Sequence, residues 1–511
     1  MIATNVRRLG VYLLLSFGIV SVGMSYWQVL DAPTLTTRPD NPQVIAARRS
    51  LPRGTIFDAQ GQVLASSEVV DGISRRTYVD TAFTHVIGYS SLRFGTTGVE
   101  RAFDDILTGS TDPNPVRDLV NDVLDRQPEP RDLTLTIDRR LQDFAAAQLG
   151  AAPGAVVAID PTSGEILAMV STPTFDATPI SGDPSVAQEP MDVLRNDPAE
   201  PLRARARQGT YVPGSILKVL TAAAALDAGA ITPETTFADQ PRQESEGFTV
   251  QGFTIREHDL AGVQPALWPL SEALQVSSNI YFAHVALELG AEQYLEYASR
   301  FGFCRPLAIG PSGRALGVDP SYVTAAADDG CSPFDDQVEL ASAGFGQAET
   351  LVTPTQMALL AGTIANGGQI PPLHVVRDVR PHSTTGSPSE QVIETYGGQG
   401  GGRAIGAQAA ADVRSAMVDA VNGDLGRPYA GAGDIQLYGI SGQQSAGKTG
   451  TAQLGGQAAP HSWFIGFAPA QDGATPAIAI AVLVESGGSG SANAAPIAGQ
   501  VMAEWLRLEG S

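Results

Sequence analysis

The sequence is poor in cysteine and in basic residues. Two cysteines, Cys304 and Cys331, occur among 511 residues, without Cys-x-x-Cys spacing and without a His/Cys cluster of the metal-binding type. Lysine and arginine together number 32 against 54 acidic residues, and the formal net charge is −22. These absences argue against a zinc-binding module and against nucleic-acid binding, which needs a basic surface that releases counterions.

One long stretch, from Leu9 to Leu30, lacks charge altogether. Its roughly 22 residues would form a helix of about 33 Å, which is enough to cross a bilayer. Arg7-Arg8 precede it and Tyr26-Trp27 lie near its end, as basic and aromatic residues do at membrane boundaries. We therefore expect a single-pass anchor over 9–30 in the cell membrane, with 1–8 in the cytoplasm and the remainder outside. A cleaved signal peptide is the alternative.

The expected location bears on the two cysteines. Disulfide bonds persist outside the cytoplasm, where the anchor would place both Cys304 and Cys331. A disulfide between them is therefore plausible, and two unrelated thiols are the alternative.

Beyond the anchor, the chain changes character at Pro128 and Pro130. Residues 31–41 are rich in Thr, Pro and Asp, which indicates a linker, and the segment that follows has few long apolar runs. We expect a small platform domain over 31–130 and a catalytic domain over 131–511. The hydrophobic content of 43% is ordinary for a folded chain, so a sizeable core is possible.

The larger part of the chain mixes strand and helix patterns. Strand patterns occur at 133–137, 154–160, 165–170, 446–452, 463–467 and 477–484. Helix patterns occur at 139–149 behind Asp138, at 270–289 with an interruption at 277–279, at 354–364 behind Thr353, and at 501–508. The proline-rich stretch 173–201 is predicted to be loop. The mixture indicates an α+β fold with an antiparallel meander near its end.

A serine and a lysine three residues apart, Ser215 and Lys218, open an apolar run that ends at Gly229. The run is apolar on nearly every face, which is typical of a buried helix. Residues i and i+3 lie on one side of a helical turn, so the amine is expected beside the hydroxyl. Burial and the positive end of the helix dipole would lower the pKa of Lys218, whose neutral amine could then take the Ser215 proton.

A second polar cluster, Ser277-Ser278-Asn279, interrupts the predicted helix 270–289. The hydroxyl of Ser277 and the amide of Asn279 can relay a proton to a leaving amine and hold the backbone of a donor peptide. A helix N-cap is the structural alternative for this cluster.

A third cluster, Lys448-Thr449-Gly450-Thr451, lies in a predicted strand. Lys448 offers positive charge for a carboxylate, and Gly450 would let a substrate strand approach the strand edge. We expect Thr449, Gly450 and Thr451 to bind substrate, and the backbone N–H groups of Ser215 and Thr451 to form an oxyanion hole. An exposed turn is the structural alternative.

Other polar residues are interpreted as structural. His258, His284 and His461 are expected to be surface or core residues, because no partner marks them as bases. Glu100 and Asp138 are expected to be packing or capping residues.

The three clusters occur in an order typical of serine β-lactamases and penicillin-binding proteins. With the anchor and the pattern Arg53-Gly54-x-Ile56-x-Asp58-x-x-Gly61-x-x-Leu64-Ala65, nearly the whole chain resembles a class B penicillin-binding protein. Its platform is shorter than in many division-type members. The other matching groups are Gly344-Phe345-Gly346-Gln347, Thr353-Pro354-x-Gln356, Ala365-Asn366-Gly367-Gly368 and Trp463-Phe464-Ile465-Gly466-Phe467-Ala468-Pro469.

The resemblance implies a penicillin-binding transpeptidase domain with a five-stranded antiparallel sheet flanked by helices, and the activity of a peptidoglycan D,D-transpeptidase. Neutral Lys218 would deprotonate Ser215, which would attack the penultimate D-Ala carbonyl of a stem pentapeptide. The terminal D-Ala would leave, protonated through Ser277, and an amine of a neighbouring stem peptide would resolve the acyl-enzyme. β-Lactams would acylate Ser215. The resemblance requires no metal or organic cofactor, and suggests a membrane glycan polymerase as partner.

Two other functions stay open at this point. A β-lactamase or D,D-carboxypeptidase would send water to the acyl-enzyme, although no residue is assigned as an activator of that water. A non-catalytic membrane receptor would keep the pocket to sense β-lactams, although the complete set of catalytic polar groups argues against it.

Overall fold

The computed structural model describes residues 2–27, 52–70, 73–110, 129–258, 263–328, 330–397, 401–425, 443–455 and 458–510. Its first element is the helix Ile2–Ser25. The span Val6–Ser25, with a mean hydropathy of 1.5 and no part of it buried, is long and apolar enough to cross a membrane. The end of the expected anchor, 28–30, and the expected linker 31–41 lie outside the described residues.

A five-stranded sheet, antiparallel throughout, forms the centre of the larger part of the molecule. From edge to edge its strands are Ala446–Ala452, His461–Ala468, Ile478–Val484, Gly154–Ile159 and Ile166–Thr172. The strands predicted at 154–160 and 165–170 pair with each other, and the predicted meander is confirmed. The two parts join through the pairing of Ile478–Val484 with Gly154–Ile159.

The two faces of this sheet belong to two separate cores because successive side chains of a strand point to opposite faces. Val156 and Val482 lie in one core, together with residues of the helices Arg139–Leu149 and Ala494–Glu509. Val157 lies in the other and larger core, which includes the buried helix Pro354–Ala365. The helices Lys218–Asp227 and Asn279–Leu289, which carry candidate catalytic residues, also lie in the larger core.

Further helices pack in the larger core or at its rim. They are Lys218–Asp227, Leu270–Gln275, Asn279–Leu289, Ala291–Arg300, Gln337–Ala343 and Ala407–Asn422, with the shorter Arg205–Gln208 and Gln240–Glu246. The helices Thr178–Ser181 and Gln188–Asn196 bury Ile180 and Met191 in a separate small cluster. Short strand pairs are Phe248–Val250 with Phe253–Ile255, Leu307–Ile309 with Leu316–Val318, and Ala326–Ala327 with Gly330–Cys331.

A second, six-stranded sheet joins the N-terminal part to the rest. Across the sheet its strands are Glu394–Thr395, Val376–Pro381, Arg131–Leu135, Ile56–Phe57, Val63–Val70 and Ile73–Tyr78. Ile56–Phe57 pairs in parallel with Arg131–Leu135, and the other pairs are antiparallel. The sheet therefore crosses the expected boundary between 130 and 131.

Short elements pack beside this sheet. They are the 3₁₀ helix Thr81–Phe83, the helices Thr84–Ile87, Gly98–Ala102 and Asp104–Thr108, and the strand pair Ser90–Ser91 with Gly95–Thr96. Glu100 is fully buried among them, where it accepts hydrogen bonds from Arg53 at 2.9 Å and Arg76 at 2.6 Å. Its expected packing role is thus a buried ion-pair network.

Two helices of the transpeptidase-like part begin at the predicted capping residues. Asp138 caps Arg139–Leu149 by accepting from the backbone N–H of Arg140, and Thr353 caps Pro354–Ala365 in the same way, as predicted. The prediction that 173–201 is loop is wrong, because Thr178–Ser181 and Gln188–Asn196 are helical. Gln188–Asn196 buries Met191 and leaves most of its surface in solvent, so its sequence is too polar to show the pattern.

The two cysteines form a disulfide. Cys304 and Cys331 are joined with an S–S distance of 2.05 Å and their Cα atoms are 4.9 Å apart. Of the two interpretations left open by the sequence, the structure supports the bonded pair.

Candidate active site

The turn that carries Ser215 is a short 3₁₀ helix, Gly214–Leu217, which passes directly into the α-helix Lys218–Asp227. A 3₁₀ helix has three residues per turn, so residues i and i+3 lie one above the other. This places Lys218 Nζ 3.0 Å from Ser215 Oγ. Ser215 is partly exposed, whereas the lysine is completely buried. A buried amine therefore faces a hydroxyl that a ligand can reach.

Residues of two other groups on which the family resemblance rests, 344–347 and 463–469, hold this turn in place. The backbone N–H of Gly214 donates to the carbonyl of Gly346 at 3.0 Å, and Trp463 Nε1 donates to the carbonyl of Val212 at 3.0 Å. A Cβ on Gly346, whose φ is +82°, would lie 1.9 Å from the Gly214 carbonyl oxygen. Gly346 and Trp463 thus have a packing reason that sequence reasoning did not supply.

The amine of Lys218 is surrounded by oxygen atoms. Its Nζ lies 2.5 Å from the Ser277 carbonyl, 2.8 Å from Asn279 Oδ1 and 3.2 Å from Ser277 Oγ, besides its contact with Ser215. A carbonyl and an amide oxygen can only accept hydrogen bonds, so they take the two N–H groups of a neutral amine. The lone pair is then left for a hydroxyl proton. The arrangement suits a base acting on Ser215.

The environment of Lys218 also favours its neutral form. Burial lowers the pKa of Lys218 well below its usual value, and the positive charge of Lys448 lowers it further. The carboxylate of Glu257 acts in the opposite direction. The low pKa expected from sequence has this physical cause.

The second cluster contains the N-cap that was the structural alternative, and its neighbouring residues contact Lys218. Ser278 is the N-cap of the helix Asn279–Leu289 and accepts from the backbone N–H of Tyr281 at 3.1 Å. Ser277 and Asn279, on either side of it, face Lys218. Ser277 has a φ of +61°, which is uncommon for a residue other than glycine. The cap and the polar contacts are thus divided among three consecutive residues.

The third cluster lies on the edge strand Ala446–Ala452. Lys448 is almost fully buried, and burial lowers its pKa to about 7. Its charge acts on Lys218, so the strand brings the two lysines near one another. Thr449 is half-buried and Thr451 is exposed. The structure therefore brings all three clusters to one place.

Gly450 has a structural reason that differs from the one inferred from sequence. A Cβ at this position would lie 2.9 Å from the Pro213 carbonyl and 3.1 Å from Ile216 Cγ2. These atoms belong to the turn around Ser215 and not to a substrate. The missing side chain allows the edge strand to pack against that turn.

Two residues near the site were missed or placed elsewhere by sequence reasoning. Glu257 accepts from Ser278 Oγ and from the backbone N–H groups of Asn279 and Ile280. His258, expected to be a surface or core residue, has its Nε2 3.0 Å from the Ser277 carbonyl. Neither residue belongs to a recognisable sequence motif. The one weak signal is that Glu257 is an acidic residue ahead of a predicted helix, where a carboxylate can act as a cap.

Comparison with known proteins identifies the class. Residues 154–503 match the penicillin-binding protein transpeptidase domain family, and residues 53–132 match the penicillin-binding protein A dimerisation domain. The first match covers more than half of the chain, and the chain belongs to the penicillin-binding protein transpeptidase family.

Relatives of this chain include named enzymes. It is 34% identical over 526 aligned residues to peptidoglycan D,D-transpeptidase PbpA of Mycolicibacterium smegmatis, covering 99% of this chain and 100% of the relative. It is 30% identical to peptidoglycan D,D-transpeptidase MrdA of Haemophilus influenzae, covering 81% of this chain and 63% of the relative. A solved structure of penicillin-binding protein A from M. tuberculosis, a penicillin G acyl-enzyme complex, matches with a TM-score of 0.73 and 33% identity, covering 89% of this chain and 100% of that one.

Proposed function

We propose that this chain is a membrane-anchored peptidoglycan D,D-transpeptidase that works through an acyl-enzyme at Ser215. The observation that carries the proposal is the 3.0 Å contact between the Ser215 hydroxyl and the amine of Lys218, whose own protons have two acceptor oxygens. The names of the PbpA and MrdA relatives and the penicillin G acyl-enzyme of a structural relative support it.

Acylation begins when the Ser215 Oγ–H proton moves to the lone pair of Lys218 Nζ. The oxygen forms a bond to the carbonyl carbon of the penultimate D-Ala of a stem pentapeptide, and the carbonyl π electrons move to its oxygen. When the carbonyl re-forms, the C–N bond to the terminal D-Ala breaks. Its nitrogen takes the proton from Lys218 through the Ser277 hydroxyl, and free D-Ala leaves.

The second half returns the enzyme to its starting state. A neutral amine of a neighbouring stem peptide attacks the ester carbon, and a new amide bond replaces the bond to Ser215 Oγ. The proton that the amine loses passes to Lys218 and then to the serine oxygen. The product is a crosslink between two stem peptides, and no atom is left over.

The edge strand supplies the other contacts in this proposal. Lys448 would provide charge for the terminal carboxylate of the donor, and Thr449, Gly450 and Thr451 would run beside its backbone. The developing oxyanion would take the backbone N–H groups of Ser215 and Thr451. A β-lactam presents a carboxylate and a strained amide to the same groups, so it would acylate Ser215 and remain there.

Each part of the chain then has its own role. Residues 9–30 anchor it in the cell membrane with 1–8 in the cytoplasm, and the apolar helix Val6–Ser25 supports the anchor. Residues 31–130 form the platform and 131–511 the transpeptidase domain, a division supported by the two family matches. The partner is a membrane glycan polymerase that supplies uncrosslinked strands. Peptidoglycan stem peptides ending in D-Ala-D-Ala are the substrate.

The test is labelling of the full-length protein with a fluorescent penicillin. We expect stable labelling of the wild type and loss of labelling in Ser215→Ala, with mass spectrometry placing the adduct on Ser215. Crosslinked dimers should then form from lipid-linked pentapeptide in the presence of a glycan polymerase. Rapid turnover of penicillin would favour a hydrolase, and labelling without crosslinks would favour a receptor.

A further inference from the structure

Glu257 is a buried acid whose two oxygens are both occupied. Its side chain is 3% exposed. Oε1 accepts from the backbone N–H groups of Asn279 at 2.9 Å and His258 at 3.1 Å. Oε2 accepts from Ser278 Oγ at 2.9 Å and from the backbone N–H of Ile280 at 3.1 Å. Three of these four donors belong to consecutive residues at the start of one helix.

This carboxylate satisfies groups that a helix cannot satisfy by itself. The first N–H groups of Asn279–Leu289 lack partners within the helix, and the helix dipole favours negative charge at that end. Glu257 provides both the acceptors and the charge. It therefore fixes the position at which the helix begins.

The same helix start carries the groups that contact Lys218. The Ser277 carbonyl and Asn279 Oδ1 reach the amine from the two sides of Ser278. The left-handed backbone of Ser277 is energetically unfavourable for a residue other than glycine, so the surrounding contacts must hold it. Glu257 accepts from the hydroxyl of Ser278, the residue directly after Ser277, and from the backbone N–H groups of Asn279 and Ile280.

We propose that Glu257 is a positioning residue for acyl transfer. It fixes the Ser277-Ser278-Asn279 turn so that two oxygens of this turn take the amine protons of Lys218, which leaves the amine lone pair for the proton of Ser215. Glu257 itself does not contact the hydroxyl of Ser215 in this proposal. It acts through the turn and through its charge.

Several charged and titratable groups lie around Lys218 and act on its pKa together with Glu257. Lys448 approaches from the edge strand, His258 contacts the Ser277 carbonyl, and Glu244 lies behind the turn with an oxygen 3.3 Å from Ser278 Oγ. Burial and Lys448 lower the pKa of Lys218, and Glu257 opposes them. Removal of the Glu257 charge should therefore lower this pKa further.

The inference rests on the proposed acylation of Ser215, so the wild type is measured first. The experiment compares the second-order rate of acylation by a fluorescent penicillin for wild type, Glu257→Gln and Glu257→Asp, in detergent and across pH. Rates are divided by the titrated fraction of active enzyme. Asp138→Asn is the matched control, because Asp138 is also a buried carboxylate that caps a helix, Arg139–Leu149, on the other face of the sheet.

We expect Glu257→Gln to lower the rate per active molecule by about tenfold or more. The amide NH₂ group would replace one carboxylate oxygen, and it cannot accept hydrogen bonds from the two donors that this oxygen faced. In the plot of its acylation rate against pH, the fall on the acid side, its acid limb, should move to lower pH, because loss of the Glu257 charge lowers the pKa of Lys218. Glu257→Asp should lose rate but keep the wild-type limb, and Asp138→Asn should change stability alone. A Glu257→Gln rate and limb equal to wild type would overturn the inference, as would a loss confined to the active fraction. Absence of acylation in the wild type would instead overturn the proposed function.

Discussion

Two buried lysines, Lys218 and Lys448, share one site, and the proposed chemistry needs them in opposite protonation states. Lys218 must be neutral to take a proton, whereas Lys448 must be charged to hold a carboxylate. Burial lowers the pKa of both, and the charge of Lys448 lowers that of Lys218 further. The arrangement separates two identical functional groups by their surroundings.

This separation predicts a pH dependence with two limbs. The pKa of Lys448 is lowered to about 7 by burial, so the free enzyme loses this cation as pH rises through that value. The second-order rate of acylation by a penicillin should therefore fall on the alkaline side, because this constant reports the free enzyme. It should also fall at low pH, where Lys218 becomes protonated. Stopped-flow acylation across pH measures both limbs.

A penicillin methyl ester provides the control for the alkaline limb. The ester carries no carboxylate, so its acylation should be slower overall but should lack the fall near pH 7. The acid limb should remain, since every ligand needs a neutral Lys218. If free acid and ester lose rate together above pH 7, Lys448 does not serve the carboxylate.

At the scale of elements, the site depends on close packing between an edge strand and a 3₁₀ turn. Ala446–Ala452 approaches Gly214–Leu217 so closely that a Cβ on Gly450 would lie 2.9 Å from the Pro213 carbonyl. The contact is to backbone, which cannot rotate away as a flexible side chain can. The spacing of strand and turn is therefore set by the absence of one methyl group.

Gly450→Ala should push the strand away from Ser215 and lower the acylation rate. Small misplacements of reacting groups reduce rates by up to about a hundredfold, so we expect a loss of at least about tenfold. Overpacking should also lower the free energy of unfolding by about 1–3 kcal/mol. Fluorescent-penicillin kinetics and thermal unfolding measure the two effects.

Gly317→Ala is the matched control for this change. Gly317 lies in the strand Leu316–Val318, has an ordinary φ, and a Cβ there would meet no atom within 4 Å. It should acylate like the wild type. Equal losses in the two variants would show that the effect comes from replacing a strand glycine and not from contact with the nucleophile's turn.

Elements also show how far sequence patterns extend. The strands of the five-stranded sheet and the caps Asp138 and Thr353 were predictable, because strand alternation and helix capping are local sequence patterns. The helix Ala407–Asn422 was missed, because its many alanines gave no clear apolar stripe. Glu257 was missed for another reason: its partners follow about 20 residues later, and a distant hydrogen bond leaves no periodic signal.

The prediction of the site was strong where spacing is fixed by a helix turn and weaker where it depends on tertiary contact. Ser215 and Lys218 were placed together from an i, i+3 relation. Their approach to Lys448 came from the family resemblance, since nothing local joins a helix to a strand so far along the chain. The role of Gly450 in packing could not be inferred without the turn beside it.

On the scale of the whole molecule, a buried charge network stabilises the N-terminal part. Glu100 is fully buried between Arg53 and Arg76, and Arg53 also bonds Asp104 at 2.6 Å. Although burial alone would raise it, the two guanidinium groups hold the pKa of Glu100 below its usual value. Through Arg53 and Arg76, the network joins the segment before strand Ile56–Phe57 and the strand Ile73–Tyr78 to the helix Gly98–Ala102.

Glu100→Gln should destabilise the protein strongly, because it leaves buried guanidinium groups without their counter-charge. Loss of one partner of a buried pair costs about 3–5 kcal/mol. Unfolding of the full-length protein in detergent measures the change. Glu296→Gln is the comparison, because it removes an exposed partner of Arg300 and should change stability by about 0.5 kcal/mol or less. Similar effects in both variants would contradict the importance of burial.

The six-stranded sheet has a consequence for how the chain is made. Its strand Ile56–Phe57 lies beside Arg131–Leu135, whose other neighbour, Val376–Pro381, is synthesised only after the helices Lys218–Asp227 and Pro354–Ala365. During synthesis, Ile56–Phe57 and Arg131–Leu135 are complete first, and one edge of Arg131–Leu135 would stay unpaired until this late segment is made. A nascent chain halted before residue 376 should therefore be open to proteases at this strand, even though the strand is made early.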